Sequence, residues 1–374
     1  MKVVFTVDSL AQGGTEQSIA ELIAHFDKKI EIIVVYFYDA HQLRETYESL
    51  NCKLVFLGIS DKYGFYKSVN LFYNLVLSEK PDVVVSSLYR SLIISRFVCW
   101  WTKIPLVGTF VNERYGSDRK ERFKGPDIVK YYATWFLDRI TAFIPVKVIS
   151  NSYSISYLNG NALGINSNRI KVIYRGRDTR NYKAWNQPEG NSKFIWMSIG
   201  RLIPQKGYDI LLKAFFELKK VNSDVQLRII GEGPLRNELE LLIKELYLQD
   251  EVFLDGNKPL GWKNLYDANA FVLPSVSEGF SGALVEALIT GIPIVASDIP
   301  MNIEAVSPGK DAYFFRSKDH QHLYEKMLAL MNGYEHACEL GKLMRSRAID
   351  NYDIQQVADT YEKTLETVVY GKQS

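Results

Sequence analysis

Short runs of β-branched and other apolar residues recur along this chain, each followed by a stretch with helical spacing. Val3–Val7 leads into the amphipathic segment Thr15–Phe26, and a second strand-like run follows at Glu31–Tyr38. Lys53–Leu57, Val83–Ser86, Leu106–Phe110, Val146–Ser150 and Ile170–Tyr174 continue the series. A continuous apolar run suits a strand covered on both faces, as parallel strands are in an α/β sheet. After a polar break at Trp185–Ser192 (W-N-Q-P-E-G-N-S) the rhythm restarts. Phe194–Ile199, Gln226–Ile230, Val252–Leu254, Ala270–Leu273 and Ile294–Ala296 read as strands; Tyr208–Val221, Leu235–Leu248, Ser281–Thr290 and His320–Asn332 read as helices. The expected fold class is therefore α/β, with two Rossmann-like doubly wound domains. The break sets them at residues 1–185 and 193–350, facing each other across a cleft onto which strand carboxyl ends open.

Residues 1–185 carry 25 Lys and Arg against 17 Asp and Glu, a net +8; the remainder carries 20 against 26, a net −6. A basic half and an acidic half imply different partners. Hydrophobic residues make up 47% and charged residues 24%, which excludes a disordered or collagenous chain. The three cysteines, Cys52, Cys99 and Cys338, are far apart, and Met1 leads directly into a strand without a signal-peptide pattern, so the expected compartment is the cytoplasm. The most apolar stretch, Leu92–Val111, is interrupted by Arg96, Lys103 and Pro105. That is too broken to span a bilayer and leaves peripheral attachment at the inner face of a membrane as the membrane option.

Three segments carry candidate chemistry. In Asp8-Ser-Leu-Ala-Gln-Gly-Gly-Thr-Glu16, Gly13 and Gly14 sit between a strand and a helix, where a tight turn and the helix amino terminus favour an anion. A plain turn capped by Thr15 is the alternative. In Ser198-Ile-Gly-Arg-Leu-Ile-Pro-Gln-Lys-Gly207, Arg201 and Lys206 lie in a loop at a strand's carboxyl end, placed to neutralise a diphosphate or simply solvated. In Pro274-Ser-Val-Ser-Glu-Gly-Phe-Ser-Gly-Ala-Leu-Val-Glu-Ala287, Glu278 and Glu286 flank a glycine-bearing turn. A helix beginning near Ser281 would aim the free amides of Ser281, Gly282, Ala283 and Leu284 at a phosphate. Glu286, in an apolar run, needs a hydrogen-bond donor that a ribose diol would supply; an ordinary capping box is the alternative.

These segments, together with Ile173-Tyr-Arg-Gly-Arg-Asp178, occur in an order that resembles the retaining GT-B glycosyltransferases of the large group-one family (family four). The resemblance spans nearly the whole chain. It implies that Arg201 and Lys206 grip the diphosphate of a nucleotide-sugar donor, UDP-sugar being favoured, while Glu286 takes the ribose. Glu278 would meet the donor sugar, with the backbone from Phe280 onward holding sugar and phosphate, and Gly13 and Gly14 would close over the donor. Gly231, and Gly256 with the residues to Leu260, would form the nucleobase wall. A carboxy-terminal helix at about 354–370 would cross back to the first domain. One departure stands out: many relatives place a histidine after the strand ending near Thr109, where this chain reads Asn112-Glu-Arg114. Asn112, Glu113 or Arg114 would orient acceptor or sugar instead, or Glu113 and Arg114 would form a loop ion pair.

The chain has no Asp-x-Asp and no His/Cys cluster at ligand spacing, so neither a metal nor a cofactor is expected. Between residues 114 and 147, Arg114, Arg119, Lys120, Arg122, Lys124 and Lys130 interleave with Phe123, Tyr131, Tyr132, Trp135 and Phe136. That pattern reads either as docking on an anionic membrane or as a helix with an aromatic core face and a basic solvent face. A membrane would suit a lipid-linked acceptor in polysaccharide or lipopolysaccharide assembly; no nucleic-acid module is visible. A sugar-nucleotide epimerase of the same fold and a non-catalytic nucleotide-sugar-binding protein are the rival readings. A dehydrogenase would need three spaced glycines, which are missing.

Overall fold

The computed structural model describes residues 1–60, 64–116, 120, 123, 125–190, 193–306 and 312–371. Among them the chain divides into two compact units, one of Met1–Arg177 with Asp353–Ser374 and one of Asp178–Tyr352. The division falls earlier than the polar break suggests. Trp185, the first residue of that break, is buried in the second unit: its backbone N–H donates to Thr290 O at 2.8 Å and its indole Nε1 to Ala268 O at 2.9 Å. Asn191 and Ser192 lie outside the described residues.

The first unit holds seven parallel strands: β1 (Lys2–Val7), β2 (Glu31–Tyr38), β3 (Lys53–Ile59), β4 (Val83–Ser86), β5 (Leu106–Phe110), β6 (Lys147–Ser150) and β7 (Ile170–Val172). Their order is β3-β2-β1-β4-β5-β6-β7. The second holds β8 (Phe194–Ile199), β9 (Val225–Ile230), β10 (Val252–Gly256), β11 (Ala270–Leu273), β12 (Ile294–Ser297) and β13 (Tyr313–Phe315), ordered β10-β9-β8-β11-β12-β13. Central strands such as β4 and β11 are buried at every residue, as sheets covered on both faces require.

The last helix, Ile354–Tyr370, belongs to the first unit. Asp353 caps it, accepting from Gln355 and Gln356 backbone N–H groups, and Ile354, Val357, Ala358, Tyr361 and Leu365 enter the core around β1. Tyr361 meets Phe5 and Phe26 with ring centroids 6.4 and 6.1 Å apart. Each such large apolar side chain contributes about 1.5–3 kcal/mol on burial, which holds this segment to a domain far from it in sequence.

Candidate functional site

In each sheet the strand order reverses once, between β8 and β11 and between β1 and β4. Loops leaving the carboxyl ends of such neighbours part in opposite directions and open a crevice where ligands of these folds bind.

In the second unit two loops meet at this point. Val276 N–H donates to Gln205 O at 2.8 Å, tying the loop after β11 to the loop after β8. Gly207 has φ +65°, and a Cβ there would stand 2.3 Å from Pro274 O, so no other residue lets the loops approach this closely. Within that frame Lys206 Nζ donates to Glu278 Oε1 at 2.5 Å, and Ser275 Oγ donates to the same oxygen at 2.7 Å. Both charged side chains are largely buried, 16% and 12% exposed. Arg201 is exposed and, among the described residues, makes no side-chain hydrogen bond or ion pair. Tyr208 is buried beneath the loop; its hydroxyl donates to Gly200 O at 3.1 Å, and burial pushes that hydroxyl up, so it serves as a fixed donor.

The loop after β9 closes onto the same edge. Gly231 (φ +149°) donates to Gly256 O at 2.8 Å, and a Cβ on it would lie 2.0 Å from Gly200 O. Backbone therefore packs on backbone beside Arg201. Gly256 (φ +74°) and the exposed Leu260 (φ +50°) complete that edge.

The helix beyond Glu278 runs Gly282–Thr290 with Ser281 as its N-cap. Two expectations need correction here, those for the Leu284 amide and for Glu286. Ser281 Oγ accepts from Leu284 N–H at 3.4 Å, so that amide is already engaged and Gly282 and Ala283 supply the open ones. Phe280 is 2% exposed with its ring edge-on to Tyr352, so its side chain belongs to the core. Glu286 is half-buried but is not without a partner in the folded chain.

Gly13 and Gly14 lie in the first unit at the start of the helix Gly14–Ile23, neither with positive φ. A Cβ on Gly13 would stand 2.2 Å from Glu16 Oε2, the far end of a flexible side chain. The chain's own carboxylate thus lies over this helix start, where a negative charge is favoured. A Cβ on Gly14 would be 3.5 Å from Arg175 Nη1. Asp8, which the sequence pattern did not single out, directly follows β1 and accepts Ser91 N–H, in the first turn of the helix Tyr89–Thr102, at 2.8 Å. Burial raises its carboxyl, opposed by that hydrogen bond and by Arg90 and Arg114.

Arg114 is not an acceptor-facing residue. It is buried, donating to Asp138 Oδ2 at 3.3 Å and to Thr109 O at 3.2 Å; its partner is Asp138 rather than Glu113. Asp138 also receives Arg96 Nη1 at 2.6 Å and the Tyr115 hydroxyl at 2.7 Å. Burial works against the Asp138 carboxylate, but Arg114, Arg96 and Tyr115 outweigh it and hold the group below its ordinary range. Asn112 is exposed, and its carbonyl accepts Asn159 Nδ2 at 2.9 Å; Glu113 is half-buried against Gly116. Of the basic and aromatic series, Tyr131 is also buried, and Trp135 Nε1 is tied to Ala162 O at 3.0 Å. Arg119, Arg122 and Lys124 lie outside the described residues. Among the described residues no group of three His, Cys, Asp or Glu could hold a metal ion.

Two family models match in succession, the one for glycosyltransferase family 4 at residues 12–181 and the one for glycosyl transferases group 1 at residues 179–347. The chain belongs to the group 1 glycosyltransferases. The models meet where the structure divides, and both switch-point loops of the second unit lie within the group 1 match. This transferase is 28% identical over 311 residues, 79% of its length and 80% of the relative's, to the N-acetylgalactosamine-N,N'-diacetylbacillosaminyl-diphospho-undecaprenol 4-alpha-N-acetylgalactosaminyltransferase of Campylobacter jejuni. It is 36% identical over 105 residues to an uncharacterized glycosyltransferase of Methanocaldococcus jannaschii, a match spanning 28% of this chain and only 26% of that relative. Among solved structures it resembles Anabaena HepE, crystallised with UDP and glucose, at TM-score 0.82 and 19% identity over 98% of this chain and 100% of that one. That likeness is one of fold: two Rossmann-like α/β domains of the GT-B type.

Proposed function

We propose that this protein is a retaining, metal-independent transferase that moves a sugar from a nucleotide-diphosphate sugar to a glycan or lipid-linked acceptor in surface polysaccharide or lipopolysaccharide assembly. The observation that carries the reading is the clamp of Lys206 and Glu278 at the β8/β11 switch point with the unpaired Arg201 beside it. Arg201 and Lys206 neutralise the departing diphosphate, assisted by the open amides at Gly282 and Ala283. Glu278, fixed by Ser275, engages the sugar hydroxyls, and Glu286 exchanges its internal contact for the ribose diol. Gly231, Gly256 and Leu260 frame the base, with uridine favoured because HepE, of the same fold, was crystallised with UDP. Asn112 and Glu113 remain the exposed and half-exposed groups of the first unit for the acceptor. The leaving phosphate itself takes the acceptor proton.

A lipid-linked acceptor accords with the Campylobacter relative's name and with one face of the first unit. Val129, Tyr132, Phe136, Ile140 and Phe143 are exposed at intervals of three or four residues along the helix Pro126–Thr141 and just beyond it. Trp100 lies edge-on to Phe143 at 5.2 Å, Lys103 sits over Trp100 at 4.6 Å, and Lys120 over Tyr132 at 5.6 Å. Exposed aromatics flanked by cations suit the boundary of an anionic bilayer. Among the described residues no helix is long and apolar enough to cross one.

Calorimetry with UDP, GDP and ADP, on the wild type and on Glu286→Ala, tests the donor site. One nucleotide should bind, more weakly to the variant, and EDTA should leave both binding and transfer intact. Binding of none of the three would overturn the donor-site reading.

A further inference from the structure

The loop after β5, residues 111–115, has no regular secondary structure, yet side chains from neighbouring segments hold it in place. Asn151 donates from Nδ2 to Val111 O at 2.9 Å. From the helix Tyr153–Leu163, Asn159 donates from Nδ2 to Asn112 O at 2.9 Å and accepts Arg114 N–H on Oδ1 at 3.0 Å. Because a carbonyl only accepts and a backbone N–H only donates, these two partners fix which way the amide points. Asn159 is 0% exposed. Asparagine is a poor residue for a helix interior, and a buried position asks for an apolar one, so neither the helix nor the core accounts for it. Its two bonds to the loop do.

Those bonds flank a single residue. The carbonyl of Asn112 belongs to the peptide group before the α-carbon of Glu113, and the N–H of Arg114 to the peptide group after it. Between two planar peptide groups only φ and ψ of Glu113 can turn, so holding both groups fixes the direction in which its side chain leaves the backbone. Gly116 sets where that side chain ends: a Cβ on Gly116 would overlap Glu113 Oε1, so the carboxylate fills the space a side chain there would take. Glu113 stands three residues beyond Phe110, the last residue of β5, at the carboxyl edge where ligands of such sheets bind. We propose that Asn159 is a positioning residue for the acceptor, setting the direction of the Glu113 carboxylate through the two peptide groups on either side of it. The inference rests on the acceptor role proposed above for Glu113.

The test is a double-mutant cycle on the full chain. Transfer of labelled sugar is followed from UDP-glucose, UDP-galactose and UDP-N-acetylglucosamine to undecaprenyl-diphosphate-linked N-acetylglucosamine. Asn159→Leu, which removes both bonds at similar volume, should lower kcat/KM for that acceptor about tenfold or more while UDP binds as in the wild type. Asn159→Asp keeps the shape and the Arg114 bond but loses the donor to Asn112 O; it should act in the same direction, and it serves if the leucine variant does not fold. Gly116→Ala, at a backbone conformation open to alanine, displaces the carboxylate without touching Asn159 and should reproduce the loss. In a Glu113→Ala background none of the three should cost anything further. Undiminished transfer by the Asn159 variants, or an equal loss with and without Glu113, overturns the inference, because a purely structural asparagine would act in both backgrounds. Wild-type protein that binds UDP yet transfers to no such acceptor overturns the acceptor reading itself, and this inference with it.

Discussion

At the scale of single residues, the donor site proposed for the second unit centres on one ion pair. Lys206 and Glu278 share a short contact with each other, so each charge is partly balanced within the two loops. Replacing Lys206 with Ala should lower turnover more than donor affinity, because the ammonium is proposed to act most strongly on charge that develops as the diphosphate leaves. Loss of one such donor typically costs about 10²–10³ in kcat. Steady-state kinetics with varied donor separates the two effects; a raised KM at unchanged kcat would reassign Lys206 to ground-state binding. These residues were legible in the sequence because loops with Gly, Lys and Glu at fixed offsets report local backbone needs. Arg114 was misread for the opposite reason. A cation in a polar-looking loop says nothing about a carboxylate on a helix more than twenty residues on, and only the fold brings Asp138 beneath it.

At the scale of elements, Asp138 ties the helix Pro126–Thr141 to the loop after β5 and to the helix Tyr89–Thr102. Its folded carboxyl lies below the ordinary value of about 3.9, so the unfolded state binds its proton first as pH falls. The stability it contributes is fully present above that ordinary value and is lost as pH drops through the lower folded value. Acid titration followed by near-ultraviolet circular dichroism should therefore show destabilisation setting in below about pH 4, with a shallower slope in Asp138→Asn. That variant should also be about 3–5 kcal/mol less stable at neutral pH, since two buried guanidinium groups lose their counter-charge. An unchanged midpoint in denaturant would refute the structural role. Strands were the most readable elements: β2, β4, β5, β8 and β11 match their expected spans residue for residue. The helix Tyr334–Tyr352 and the short β13 were not anticipated. The helix mixes small and polar residues without a clear apolar stripe, and β13 has only three residues.

At the scale of the whole molecule, the basic half carries the face proposed to meet a membrane. The excess of positive charge lies in residues 1–185, together with the exposed row from Val129 to Phe143. Vesicles of phosphatidylglycerol should co-sediment the protein, and vesicles of phosphatidylcholine should do so less. The double substitution Phe136→Glu and Phe143→Glu, at exposed positions, should reduce that binding about tenfold or more without shifting the unfolding midpoint. Retention of full binding by the double variant would exclude this face.

The return of the helix Ile354–Tyr370 to the first unit has a further consequence for how the chain is made. The backbone leaves that unit at Arg177 and re-enters it at Asp353, and Ile354 N–H donates to Arg177 O at 2.9 Å. The second unit is thus an uninterrupted insertion, able to close its core while synthesis continues. The first unit emerges earlier, yet the face that awaits Ile354, Val357 and Tyr361 stays uncovered until the whole second unit has been made. Of the two units, the one begun first is the one completed second.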